Sequence, residues 1–127
     1  MTEKLVTLET AKLLKEKGFK EDVSVFYELV CEEGSYEYEL FESYDAQNYN
    51  ASVYSFSAPS QYLAQKWLRE TKNLHIEISY MYGDYWTYDI LTIPNHDLVG
   101  LSDRPIIHYK SYEEALEAGI QEALKLI

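Results

Sequence analysis

Twice along this chain, a long run of residues alternates between apolar and polar side chains around a central glycine. That pattern constrains the fold more than any other feature of the sequence. The first run pairs residues 23–31 with 35–43 across Glu33-Gly34, and the second pairs 74–82 with 85–93 across Gly83-Asp84. Period-two alternation is the mark of a strand with two unlike faces, and a short glycine-containing break between two such runs reads as a β-hairpin. A two-residue turn at Glu33-Gly34 predicts Phe26 opposite Phe41, Glu28 opposite Glu39 and Leu29 opposite Tyr38. One face then carries Val23, Val25, Tyr27, Leu29, Tyr36, Tyr38 and Leu40. The other mixes Glu28, Glu37 and Glu39 with Phe26, Val30 and Phe41.

The second hairpin contains a conflict. A two-residue turn at Gly83-Asp84 sets Tyr80 against Thr87, whereas the apolar set Ile76, Ile78 and Tyr80 matches Trp86, Tyr88 and Ile90. A slip of one residue sends every side chain to the opposite face, so a bulge or a three-residue loop must absorb it. The expectation is a bulge.

Helices separate the hairpins. Thr7 caps the first, whose apolar side is Leu8, Ala11 and Leu14 with part of Leu13, and Gly18-Phe19 ends it. The second is expected to start at Ser57 or Ala58 with Pro59 in its first turn, to bury Leu63, Ala64, Trp67 and Leu68, and to end at Asn73. The third opens on the capping box Ser111-Tyr112-Glu113-Glu114 and turns Tyr112, Leu116, Ile120, Ala123 and Leu124 inward. Between the first hairpin and the second helix, residues 44–57 read as a long polar loop, a kind often functional. Residues 94–110 read as irregular, with a short extra strand at 106–109. The order αββαββα predicts an α+β fold, a four-stranded antiparallel sheet with helices packed on one face. Its length of 127 residues suits a single domain spanning 1–127.

The charges are sorted along the chain. No Lys or Arg lies between Lys20 and Lys66, and nine acids do, which is −9 of the formal −11. The interval from Lys72 to Arg104 repeats the pattern with Glu77, Asp84, Asp89, Asp97 and Asp103. The expected sheet is therefore acidic and, with 13 tyrosines in the chain, aromatic. Such a charge disfavours direct nucleic-acid binding and adhesion to an anionic membrane, both of which need basic clusters. A lone Cys31 excludes an internal disulfide. The opening residues lack a signal-peptide core and no apolar run reaches membrane-spanning length, so a cytoplasmic location is expected.

No constellation of catalytic residues stands out. There is no nucleophile elbow and no phosphate-cradling glycine loop, and Cys31 sits among acids that disfavour a thiolate. His75, His96 and His108 have no metal-ligand spacing, so neither metal nor cofactor is called for. They read as loop or strand-edge histidines. The paired acids read as a solvated face.

The segments Ser57-Ala-Pro-Ser60 with Leu63-Ala-Gln-Lys-Trp-Leu-Arg-Glu70, and Ser111-Tyr-Glu-Glu-Ala-Leu-Glu-Ala-Gly-Ile120 with Ala123-Leu124, form a second kind of signal. Together with Lys17-Gly18-Phe19 they resemble a group of uncharacterised small proteins of gut Bacteroidales and of their phages and mobile elements. The resemblance covers nearly the whole chain. It implies a mobile-element context and brings no activity and no functional residue.

The residues favour a non-enzymatic protein-interaction module that presents an acidic, tyrosine-rich sheet to a basic protein partner. Its candidate surface is Glu28, Glu37, Glu39, Phe41, Glu77 and Asp89. A narrower version is an acidic decoy that occupies a nucleic-acid-binding protein. A different class is a small-molecule or hydrolytic pocket near the 44–57 and 94–110 segments, lined by aromatics that include Trp86. A homodimer formed through a free sheet edge or the open face is the remaining possibility.

Overall fold

The computed structural model describes residues 3–99 and 107–127. The chain divides into two compact units, Leu5–Ser60 and Met1–Lys4 with Gln61–Ile127. The described elements are three helices and five strands, an α+β composition.

In the first unit, helix α1 (Leu8–Glu16) starts where a side-chain acceptor meets an orphan amide: Thr10 N–H donates to Thr7 Oγ1 at 3.3 Å. It buries Thr10, Ala11 and Leu14 and stops at Gly18, whose φ of +92° suits a residue without Cβ. Phe19 then folds back under the helix, 1% exposed, with its N–H donating to Leu14 O at 2.9 Å.

Strands β1 (Val23–Glu32) and β2 (Ser35–Gln47) follow, joined by Glu33-Gly34 with φ of 50° and 80°, the double left-handed conformation of a tight hairpin turn. The register is the expected one: Phe26 faces Phe41, Glu28 faces Glu39 and Leu29 faces Tyr38. The ladder becomes irregular at its far end, where Val25 faces Glu42 but Val23 faces Gln47.

The segment expected as a long loop is not one. It completes β2 through Gln47, makes a single 3-10 turn at Tyr49–Ala51, and adds strand β3 (Ser55–Ser57) to the other edge of β1. Its polar side chains are internal wiring. Asn50 Nδ2 donates to Phe19 O at 3.0 Å while its Oδ1 accepts from Ser57 N–H at 2.8 Å. Lys15 Nζ donates to Ser52 O at 2.6 Å and to Ser55 O at 2.9 Å. Burial there pushes the Lys15 ammonium below its ordinary pKa.

In the second unit, helix α2 (Gln61–Thr71) begins later than expected. Ser57 belongs to β3, Ala58 N–H donates to Val25 O at 2.9 Å, and Pro59 O accepts from Val6 N–H at 3.0 Å, so Ala58-Pro59 is extended backbone. Gln61 N–H donates to Lys4 O at 2.8 Å. The helix buries Ala64, Trp67 and Leu68, and Asn73, with φ of 58°, follows it.

Strands β4 (Leu74–Met81) and β5 (Tyr85–Thr92) match Ile76 with Ile90, Ile78 with Tyr88 and Tyr80 with Trp86. The apolar alternation wins, as it must when one face is buried. The expected bulge is absent: the register is continuous, and a three-residue loop, Tyr82-Gly83-Asp84, absorbs the slip. Gly83 and Asp84 take φ of 102° and 65°.

Helix α3 (Tyr112–Lys125) is capped by Ser111, whose Oγ accepts from Glu114 N–H at 3.1 Å. The return arm lands one residue early, Glu114 Oε2 accepting from Lys110 N–H at 3.1 Å. Ala115, Leu116, Gly119, Ile120, Ala123 and Leu124 are buried. Tyr112 is exposed instead of inward, its ring edge-on to Trp86 at 5.7 Å.

The expected four-stranded sheet is replaced by two antiparallel sheets, β2-β1-β3 and β4-β5. Strand β3 fills the free side of β1, and bridges from Leu98 to Leu91 and from Tyr109 to Trp86 line β5. The strand expected at 106–109 reduces to that Tyr109 bridge, and Ile106 lies outside the described residues. Among the described residues no helix is long and apolar enough to cross a membrane.

Gly119 sets how closely α3 lies on β4 and β5. A Cβ there would stand 2.7 Å from Ile76 Cγ2 and 3.2 Å from the Tyr88 ring. We expect Gly119→Ala to lower stability by about 1–3 kcal/mol, because overpacking outweighs the roughly 1 kcal/mol gain in helix propensity. Urea unfolding measures it; a midpoint equal to or above wild type refutes the tight contact.

Candidate interaction surface

None of the five strands contains Lys or Arg, and the cations of the described residues sit on or near the helices in sequence. The three-stranded sheet therefore has two chemically different faces. On the first, Tyr27 lies opposite both Leu40 and Phe56, and Leu29 opposite Tyr38. Helix α1 brings its lysines over the aromatic rings of this face. Lys12 Nζ lies 5.2 Å from the Tyr38 centroid and Lys15 Nζ 4.8 Å from that of Phe56, cation–π distances. Tyr27 Oη donates to Val6 O at 3.0 Å, which anchors the segment preceding the helix.

On the second face the aromatic and acidic residues adjoin. Phe26 stacks on Tyr49 at 4.0 Å and on Phe41 at 5.8 Å. Next along the ladder Glu28 opposes Glu39, a like-charge pair that costs stability unless solvated or offset. Part of the offset is Ser55, whose Oγ donates to Glu28 Oε1 at 3.3 Å. Glu28 is half-buried, whereas Glu37, Glu39 and Phe41 are exposed. Four of the six candidate residues thus share one face. The other two, Glu77 and Asp89, oppose each other on the β4-β5 hairpin, in the second unit's sheet.

The remaining sequence candidates separate too. Cys31 is in β1 as expected, yet exposed near the hairpin tip. His96 is exposed in a turn with φ of 62°, and His108 stacks on Tyr85 at 3.7 Å. His75 departs from expectation: it is half-buried and its Nδ1 is shielded without a hydrogen-bond partner. Among the described residues no cluster of three or more His, Cys, Asp or Glu is placed to hold a metal ion.

An open groove of about 700 Å³ lies in the second unit, between α2, α3 and residues 3–4. Tyr62, Gln65, Ser111, Tyr112 and Glu113 line it. Gln61, 3% exposed, ties the two helices together: its Nε2 donates to Glu113 O at 3.0 Å and to Glu117 Oε1 at 2.9 Å. Among the described residues none of its lining comes from 44–57 or 94–110, the segments where the sequence placed a pocket. The signals that could have located it are the capping box of α3 and the polar first turn of α2.

Comparison with protein-family models, with curated proteins and with solved structures finds no match to this chain. Its chemistry must therefore be read from its own residues.

One tyrosine has a defined electrostatic setting. Tyr80 Oη donates to Asp84 Oδ1 at 2.7 Å, closing the β4-β5 loop. That hydrogen bond first, with some desolvation and the carboxylate charge behind it, holds the phenol above the ordinary tyrosine value of 10.0. A raised folded-state value means the contribution to stability is intact below the unfolded-chain pKa and is lost as pH rises through the folded one. We expect the Tyr80 ring carbon signal, followed by NMR in alkaline titration, to move at higher pH than that of a free tyrosine. Asp84→Gly, which suits the φ of 65°, should bring it back; no change would refute the assignment.

Proposed function

We propose that this chain is a non-enzymatic interaction module that binds a basic protein through the acidic, aromatic face of the β1-β2 hairpin. The observation that carries the reading is the sorting of charge on that face: Glu28, Glu37 and Glu39 adjoin the Phe26–Phe41–Tyr49 stack, with no cation in any strand. An exposed aromatic beside uniform negative charge supplies the two components of a recognition surface. The ring provides contact area and the acids provide steering and selectivity for cations. The acids at Glu77 and Asp89 add to the overall field but belong to the other sheet.

The test is affinity capture across a salt series, run in parallel with the double variant Glu37→Lys/Glu39→Lys. Both positions are exposed, so the fold should survive the change. A basic protein retained at low salt, released as salt rises, and held on the order of tenfold more weakly by the variant is the expected result. Equal capture by the variant refutes the acidic face. The decoy version differs in one outcome: added nucleic acid displaces this chain from its partner.

The groove between α2 and α3 supports a second reading, a small-molecule site, because two exposed tyrosines, Tyr62 and Tyr112, line a concavity that also holds Gln65 and Ser111. Fragment screening by NMR should then perturb the Tyr62 and Tyr112 ring signals together. Fragments that shift neither ring remove this reading and leave the first untouched.

A further inference from the structure

The outer edge of β2 has a backbone pattern that says how a partner docks. In an antiparallel ladder each residue turns its N–H and C=O to the same side, and successive residues alternate. Ala58 N–H donates to Val25 O and Leu29 N–H to Tyr54 O, so Val25 and Leu29 turn their backbone toward β3. The residues between and beyond, Phe26, Glu28 and Val30, therefore turn toward β2, where Phe41, Glu39 and Glu37 answer them. It follows that Tyr36, Tyr38 and Leu40 point their N–H and C=O away from the sheet. Strand β2 is the outer strand of its sheet, so among the described residues no strand receives them.

This edge is accessible and unusually bare. Tyr36 is 69% and Leu40 49% exposed, and nearly every β2 position is exposed. Exposed edges are normally blunted by Lys, Pro, bulges or shortness. Residues 36–42, Tyr-Glu-Tyr-Glu-Leu-Phe-Glu, contain no Lys, Arg, Pro or Gly, and the ladder irregularity lies beyond them. The only guards are carboxylates.

A guard of one sign is selective. Two copies paired with Tyr38 opposite Tyr38 would set Glu37 of each against Glu39 of the other, and like charges directly opposite destabilise a sheet. A strand carrying cations meets the opposite condition. We propose that the β2 edge accepts, by antiparallel strand addition, an extended segment of a basic protein whose Lys or Arg side chains alternate with apolar ones. Directly opposed residues share a face. The segment's cations therefore lie over Glu37 and Glu39, and its apolar side chains lie beside Tyr36, Tyr38 and Leu40. The main-chain bonds to Tyr36, Tyr38 and Leu40 then come from its apolar residues. This rests on the interaction reading above and supplies its docking mode.

The experiment titrates the full chain with a short synthetic peptide alternating Lys and Val, and with two versions N-methylated on the backbone either at every Val or at every Lys. The parent peptide should bind, more weakly as salt rises. Methylation at Val removes the donors that face β2 and should weaken binding by about tenfold or more, the effect of losing one or two main-chain hydrogen bonds. Methylation at Lys alters the far edge of the peptide and should leave affinity within about threefold of the parent, well under that loss. Equal binding by both methylated peptides overturns strand addition and leaves the acidic-face reading standing. No binding by the parent at low salt overturns both. A stable dimer of the chain without peptide, dissociated by the parent peptide, would show that the occupant is a second copy and overturn the choice of a basic segment.

Discussion

The two-residue turn at Glu33-Gly34 is the constraint on which the first unit's chemistry depends, because a hairpin of fixed loop length has a fixed parity. With Glu33 and Gly34 both at positive φ, Glu32 must face Ser35 and every later pair follows. That parity puts Phe26 and Phe41 on one face with Glu28, Glu37 and Glu39, and puts Tyr27, Tyr38 and Leu40 on the other. It also decides which backbone groups look outward along β2. A turn longer by one residue would exchange the faces, bringing acids under the lysines of α1 and leaving the tyrosines to solvent.

The electrostatics of that unit are divided between faces that lie one strand thickness apart. Lys12 and Lys15 are engaged over Tyr38 and Phe56, and Lys15 also holds the Ser52 and Ser55 carbonyls. These two α1 cations are thus committed to the aromatic face and to the chain leading into β3. On the acidic face the Ser55 hydroxyl bond to Glu28 supplies part of the local balance. This arrangement costs some stability through the Glu28–Glu39 opposition and preserves a surface of one sign.

Much of the architecture was legible in the sequence, and the failures have physical causes. The first hairpin's register could be read because a dipeptide turn and a period-two pattern agree. The helix starts at Thr7 and Ser111 and the stop at Gly18 were likewise local chemistry. Strand β3 was invisible because three residues, Ser55–Ser57, have no periodicity, and what holds them is nonlocal: Asn50 joining Phe19 to Ser57. The second hairpin's alternation was right, but a turn's length is set by φ preferences at Gly83 and Asp84 that the pattern does not encode. The candidate surface was legible within one hairpin, where Glu28, Glu37, Glu39 and Phe41 come together. Glu77 and Asp89 lie in the other hairpin's sheet, and sheet membership is something that alternation along each strand does not encode.

The sign of the β2 edge has one more consequence. A copy of this chain carrying Glu37→Lys and Glu39→Lys presents the same backbone geometry with inverted charge, so it is the electrostatic complement of the unaltered chain. Each form repels itself along the strand and attracts the other. If the β2 edge pairs as proposed, the hairpin becomes a scaffold for a two-component assembly, in which specificity is written into two side chains and the main chain supplies the joint.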